Sequence, residues 1–204
     1  EGVADSVDAH VVGTVGTDCS TGKMTTSYSL RDAARERGVD AAVVPTGQTG
    51  ILIDGGGIAV DRVISDFAAG AVERMVRERE DHDLLIVEGQ GALGHPAYSG
   101  VTLSILHGAQ PDGLVLCHEA GRERVHSYES FAIPPVAEYA DLYERLSTPV
   151  RETEVIAGCL NTRSLADDAA ATTAVEEYAE TLGVPATDPV RFEADAVLDA
   201  ILPD

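Results

Sequence analysis

Gly16-Thr17-Asp18-Cys19-Ser20-Thr21-Gly22-Lys23-Met24-Thr25-Thr26 follows a short apolar run beginning at His10 and leads into a segment with helical spacing. Strand, glycine-bearing loop, lysine and helix start together make up a phosphate-binding P-loop. The glycines let backbone N–H groups turn inward around phosphate oxygens, and the helix start supplies unpaired amides and a dipole that favour an anion. Gly16, Thr17, Asp18, Cys19, Ser20, Thr21, Gly22, Lys23, Met24 and Thr25 are therefore the expected phosphate-binding set. Lys23 is the only lysine in the chain, every other basic side chain apart from histidine being arginine. A lysine kept at this one place points to a need for a compact, rotatable ammonium that a planar guanidinium cannot replace.

The spacing departs from the commonest P-loop. Five residues rather than four separate Gly16 from Gly22, and Met24 stands where a serine or threonine usually holds Mg²⁺. Thr25 comes next, but one step along a helix swings a side chain by about 100°. Phosphate binding is thus better supported than metal binding through this helix, on which Thr25 is the candidate ligand.

The 204 residues suffice for one large domain, and no Gly/Ser linker or charge block divides them. With 35 acidic residues against 14 basic ones, the formal net charge is −21, too evenly scattered to be an acidic tail. It reads as a solvated acidic surface, similar to those of proteins from salt-loving organisms. Such a surface repels nucleic acid and anionic membranes, so neither is an expected partner, and a phosphate ligand must be held by local geometry. Salt would help, since the Debye length falls to about 3 Å at 1 M. Cys19, Cys117 and Cys159 are far apart in sequence and form no CxxC pair, which argues against a disulfide framework and suits a reducing cytoplasm. There is no long apolar run and no signal peptide, so a soluble cytoplasmic protein is expected. The chain opens at Glu1 without a methionine and reaches its first strand early, which reads as a domain trimmed from a longer protein.

Outward from the P-loop, helical spacing covers Thr25 to Arg37 and stops at Gly38. Ala41 to Val44 is a buried strand, and Pro45 to Gly50 a second polar glycine loop carrying Gln48 and Thr49. A long amphipathic helix is expected from Val60 to Arg79. Asp83 to Glu88 is apolar until its last residue, as in a parallel strand buried on both faces, and Glu88 sits where a Walker-B-type carboxylate would reach a metal. The loop after it carries His95, Tyr98 and Ser99 ahead of a short helix from Val101 to His107. Gly113 to His118 is another strand, followed by Arg122, which could clamp a carboxylate or phosphate. His95, His107 and His118 lack zinc-ligand spacing. A helix from Val136 to Leu146, a strand from Glu154 to Leu160 leading to Asn161 and Arg163, a helix from Ala166 to Leu182, a short strand and turn over Val184 to Arg191, and a helix from Ala194 to Leu202 complete the chain.

Strands and helices alternating in this way predict an α/β fold with a doubly wound, mostly parallel sheet, a P-loop NTPase-like three-layer sandwich. Ligands bind beyond the carboxyl ends of such strands. The polar residues gather there: the Lys23 loop, Thr46 to Thr49, Glu88 to His95, His118 to Arg122, Asn161 to Arg163, and Asp188.

Gly16-Thr17-Asp18 with its five-residue spacing, Val87-Glu88-Gly89-Gln90-Gly91 and Asn161 resemble dethiobiotin synthetase and its P-loop relatives. That resemblance implies Lys23 on ATP phosphates, Glu88 helping to hold Mg²⁺ and Asn161 helping to read adenine. A closer resemblance covers nearly the whole chain. Gly16 to Thr26, Thr46 to Ile53, Val87 to His107, Cys117 to Arg122 and Asp188 to Arg191 are similar to the P-loop domain of a family long catalogued as of unknown function. Some of its members are described as D-glutamate N-acetyltransferases, and members usually carry an N-terminal Rossmann-like domain ahead of this one. The run His95-Pro96-Ala97-Tyr98-Ser99-Gly100 belongs to that family and is missing from ordinary dethiobiotin synthetases.

Three readings follow. In the first, acetyl-CoA supplies an acyl group, the P-loop cradles its phosphates, and His95 or His118 deprotonates the amine of an acidic amino acid whose carboxylates Arg122 or Arg163 clamp. In the second, an ATP/Mg-dependent ligase or kinase uses Lys23 on the phosphates and Glu88, with Thr25, on the metal. In the third the domain is a non-catalytic, nucleotide-gated switch. His95, His118 and Glu88 are the catalytic candidates, and Gln48, Thr49, Tyr98, Ser99, Arg122, Asn161 and Arg163 the substrate- or base-binding ones. A homo-oligomer is compatible with all three.

Overall fold

The computed structural model describes residues 2–202, so Glu1, on which the trimmed-domain reading rests, lies outside them. In chain order the elements are β1 (His10–Gly16), α1 (Lys23–Glu36), β2 (Ala41–Val44), α2 (Gln48–Asp54), α3 (Ser65–Arg77), β3 (Leu84–Val87), α4 (Ser99–Ala109) and β4 (Gly113–Glu119). A hairpin of β5 (Arg124–Val125) and β6 (Tyr128–Ala132) follows, then α5 (Val136–Ser147), β7 (Glu154–Asn161), α6 (Asp168–Leu182), β8 (Ala186–Thr187) and α7 (Asp195–Ile201).

Six strands form one sheet in the order β2-β3-β1-β4-β7-β8, with every pairing parallel. Alternate residues serve opposite layers. Val11, paired with Leu85, packs with Val44, Val87 and the apolar faces of α3 and α4, whereas Val12, paired with Ile86, packs with Leu30 and Ala34 of α1 and Val197 and Leu198 of α7. Both faces are dry, which is why these strands read as unbroken apolar runs. Tyr139 and Tyr143 of α5 extend the first layer over Leu114 and Leu116, and Tyr178 of α6 covers Leu160. The sheet with helices on both sides is the three-layer α/β fold expected from the alternation.

The register fixes where the loops emerge. Gly16 lies beside Cys117, and Cys117 beside Cys159, so the exits of β1, β4 and β7 share one edge of the sheet. All three cysteines are free. Among the described residues no helix is long and apolar enough to cross a membrane.

Some elements differ from the sequence expectation. The second glycine loop contains a helix, α2, which the glycines hid. The long helix expected from Val60 begins instead at Ser65, because Val63 and Ile64 are extended after a 3-10 turn at Val60–Arg62. The hairpin of β5 and β6 was not expected, since every residue from Tyr128 to Ala132 is exposed and no buried face marks it as a strand.

Candidate functional site

Beyond Gly16 the chain must turn tightly back into α1. It does so through two left-handed residues, Ser20 (φ 56°) and Gly22 (φ 107°), Gly22 being the cap of α1. A glycine cap offers no side chain to the first helical amides, so they remain available to an anion. Lys23, 6% exposed, lies across the loop and donates from Nζ to Asp18 O at 2.7 Å. A Cβ on Gly16 would come within 2.7 Å of Thr21 Oγ1 and 2.9 Å of Lys23 Nζ, so the ammonium occupies space that only glycine leaves open. Burial lowers the Lys23 pKa, a cost that an anionic ligand would relieve. The loop thus has the shape and donors of a phosphate cradle.

Cys19, Ser20, Gly22, Lys23, Met24, Thr25, Gln48, Thr49, Glu88, Asn161 and Arg163 line one cleft of about 430 Å³. Gly22, Thr25, Asn161 and Arg163 also line, with Thr21, an adjoining cavity of about 280 Å³ that runs along Asp188 to Arg191. The wall of that cavity is tied to β7, because Asp188 Oδ2 accepts from the Thr162 N–H at 3.0 Å and from its hydroxyl at 2.5 Å. Asn161 Oδ1 accepts from the Arg163 N–H at 3.2 Å. His118 and Arg122 face a different cavity, of about 400 Å³, which shares no residue with these two. Gly16, Thr17, Asp18, His95, Tyr98 and Ser99 line none of the three.

Glu88 holds the far wall of the cleft. Its Oε2 accepts from the Thr46 and Gly47 N–H groups at 3.1 and 3.2 Å, so it braces the start of α2. The Thr46 hydroxyl returns a bond to Glu88 O at 2.6 Å, and Gln90 Nε2 donates to Thr46 O. The two glycine loops therefore interlock through Glu88, Thr46 and Gln90. Gly50 is required here, since a Cβ would approach Oε2 to 2.3 Å, and Gly89 more so, since its Cβ would lie 1.9 Å from Thr14 O on the neighbouring strand. Burial raises the Glu88 pKa, against the two backbone bonds and Lys23, which lower it. Its Oε1 makes no hydrogen bond among the described residues, and Glu88 and Thr25 line the same cleft. Met24 brings no side-chain oxygen to it.

Behind the loop Asp18, Arg122, Glu119 and Arg163 are paired in a chain. Asp18, fully buried, accepts at Oδ1 from the Cys19 N–H (2.7 Å) and at Oδ2 from Arg122 (3.2 Å) and the His126 N–H (2.7 Å). Arg122 also donates to Cys19 O at 2.6 Å and to Glu119, and Glu119 takes Arg163 at 3.1 Å. Both arginines expected to clamp a substrate thus already hold carboxylates of the chain. His118 Nδ1 is 2.7 Å from the Thr17 hydroxyl, and burial, helped by Arg122, lowers its pKa to about 4.

His95 is 2% exposed, stacked on Tyr98 (ring centroids 4.4 Å apart) and met edge-on by Tyr128 of the hairpin (5.1 Å). Burial lowers its pKa. Ligating atoms of Asp18, Cys19 and His95 lie within 4.8 Å of one another, but Asp18 is already committed and burial raises the Cys19 pKa, keeping a thiol there. Sequence reasoning missed the braces. The Tyr143 hydroxyl donates to Gly16 O at 2.8 Å, and the Tyr139 hydroxyl accepts from the Gly94 N–H at 2.6 Å, so α5 steadies both the P-loop and the His95 loop. The sequence expectation had only a helix from Val136 to Leu146 there, with neither tyrosine singled out.

The family model described as "Domain of unknown function (DUF1611_C) P-loop domain" matches residues 1–198. The chain belongs to this family. Two curated relatives named D-glutamate N-acetyltransferase are similar to it: one from Pseudoalteromonas sp. is 40% identical over 188 residues, and one from Tritonibacter scottomollicae 38% identical over 188 residues. These alignments cover 91% and 92% of this DUF1611 chain but 56% of each relative, so the chain spans little more than half their length. The crystal structure of a DUF1611 family protein from Anabaena variabilis superposes with a TM-score of 0.94 at 43% identity, covering 98% of this chain and 59% of that one. A nucleotide-binding protein from Archaeoglobus fulgidus in complex with ADP shares the fold at 15% identity, with a TM-score of 0.57 over 94% of this chain and 86% of that one.

Proposed function

We propose that this domain holds the phosphates of acetyl-CoA and serves N-acetyl transfer to D-glutamate or a similar acidic amino acid. The observation that carries the reading is the cradle itself: a glycine-capped helix start around the chain's only lysine, in a domain about 40% identical to relatives named for that activity. Lys23 and the open amides of α1 would take phosphate oxygens, while the adjoining cavity beside Asn161 and Pro189 has room for the adenine that CoA and ATP share. Met24 in place of a metal-binding hydroxyl suits CoA, whose acyl transfer needs no Mg²⁺. The scaffold contributes positioning: Glu88 fixes the wall opposite Lys23, and α5 fixes the loops that bear Gly16 and His95. His118 is a poor base for the cleft, since it lines another cavity and is engaged by Thr17.

A second reading, an ATP/Mg-dependent ligase or kinase, is favoured by Glu88 Oε1, which makes no hydrogen bond among the described residues and belongs to the cleft that Thr25 also lines. Calorimetric titration with ATP, with and without Mg²⁺, and with CoA and acetyl-CoA separates the two. Salt should be high, as the acidic composition suggests. CoA binding that needs no Mg²⁺ and weakens about 100-fold in Lys23→Ala is expected; Mg²⁺-dependent ATP binding without a CoA signal would overturn the acyl-transfer reading. Nucleotide binding with no turnover on any amine would move the assignment to a switch.

A further inference from the structure

The cleft around Lys23 and the cavity along Asp188 to Arg191 meet at a saddle, because Gly22, Thr25, Asn161 and Arg163 line both. The end of β7 rests there on the cap of α1: a Cβ on Gly22 would lie 3.8 Å from Asn161 Cβ. Arg163 is the one cationic side chain among the described residues that lines both spaces. It is also the outer end of the chain behind the loop. Glu119 takes its Nε at 3.3 Å and its Nη2 at 3.1 Å, and the side chain is still 62% exposed. Nη1 makes no hydrogen bond among the described residues, so one edge of the guanidinium is unspent. Arg191 is placed differently. It lines the adjoining cavity and not the cleft, and both its terminal nitrogens are taken, Nη1 by Asp168 at 2.8 Å and Nη2 by Leu165 O at 3.1 Å.

We infer that Arg163 receives the 3′-phosphate of coenzyme A. The inference rests on the acyl-transfer reading, with the diphosphate on Lys23 and the adenine beside Pro189. The ribose joins those two groups, so a ligand that fills both spaces carries its sugar across the saddle. The 3′ substituent leaves the same ring and meets Arg163 there. In CoA it is a phosphate monoester, with about −1.5 to −2 charge near pH 7. In ATP it is a hydroxyl. A guanidinium with a free edge offers a phosphate N–H donors in a fixed geometry, and the bonds are charge-assisted. The acidic composition sharpens the need: with a formal net charge of −21 the chain as a whole repels so anionic a ligand, and attraction must come from the few cations at the site. The contact selects CoA over ATP at a position remote from the thioester.

Dephospho-CoA, identical except for a hydroxyl at the 3′ position, isolates the contact. Calorimetric titration of the full-length protein as its gene encodes it, at one fixed ionic strength, should show CoA binding about tenfold tighter than dephospho-CoA. That is the lower end for a charge-assisted hydrogen bond, as suits a guanidinium this exposed. In Arg163→Ala the two ligands should bind alike, both near the wild-type affinity for dephospho-CoA, while Arg191→Ala should keep the preference. A purely structural Arg163 would weaken both ligands together and leave their ratio unchanged in the variant, and that result overturns the subsite. So does a preference lost in Arg191→Ala and kept in Arg163→Ala, which moves the phosphate to Arg191. Equal binding of CoA and dephospho-CoA by the wild type, a comparison that depends on no variant's folding, overturns the subsite while leaving acyl transfer standing. Absence of CoA binding by the wild type overturns the acyl-transfer reading and the subsite with it.

Discussion

The two sides of the P-loop use charge in opposite ways. Behind the loop Asp18, Arg122, Glu119 and Arg163 form a chain in which each group already has its counter-charge, and the hairpin hangs on it through the His126 N–H. In front, Lys23 and Glu88 face one cleft, each anchored to backbone and neither paired with an opposite side-chain charge among the described residues. The rear chain pairs its charges with one another, and the front leaves its two facing the cleft.

That contrast can be broken most severely from behind. Asp18→Ala leaves the Arg122 guanidinium, which is largely buried, without one carboxylate and strands two backbone N–H groups; urea denaturation should register a loss of about 3–5 kcal/mol. A loss under about 1 kcal/mol would mean the rear chain is no brace. In front, Lys23→Ala should weaken binding of the phosphate ligand about 100-fold, by the strength of a charged hydrogen bond. The melting temperature of the ligand-free protein should not fall, since a desolvated ammonium has been removed. A ligand-free variant that melts clearly lower would move Lys23 into the structural class.

Glu88→Gln gives a smaller effect, visible in its pH dependence. Burial raises the folded-state pKa of Glu88, so the native state binds more protons than the unfolded one across the window between the two values. The stability this confers is full below the unfolded value of about 4.3 and is lost as pH rises through the raised one. Denaturation midpoints of wild type should therefore decline relative to Glu88→Gln on going from acid toward neutral pH, and parallel curves would refute the shift. Smallest of all is Arg163→Ala. Its side chain is 62% exposed and Glu119 keeps Arg122, so stability should change by less than about 1 kcal/mol.

The front of the site was legible in the sequence because its chemistry is local. Two glycines, a lysine and a helix start occur within a dozen residues, and Glu88 ends an apolar strand. The rear was not legible, because its bonds join distant positions: Asp18 to Arg122, Asp18 to His126, and Tyr143 to Gly16. Nothing in a run of residues marks which carboxylate an arginine will find, and Arg122 and Arg163 read as free clamps for that reason. The start of α2 was hidden for a related cause. The amides that lead into it, those of Thr46 and Gly47, rest on Glu88, some forty positions away, where a local capping side chain would have announced it.

The solitary lysine has a practical consequence. A protease that cleaves only after lysine has a single bond to attack, Lys23–Met24, and that bond lies where the side chain is almost wholly enclosed. Cleavage therefore waits for the loop to open, and its rate counts the open molecules when closing outruns cutting. Any small molecule that fills the cradle should protect the bond. The chain thus carries, at the centre of its own site, an indicator of occupancy that requires no dye and responds to whatever molecule settles there.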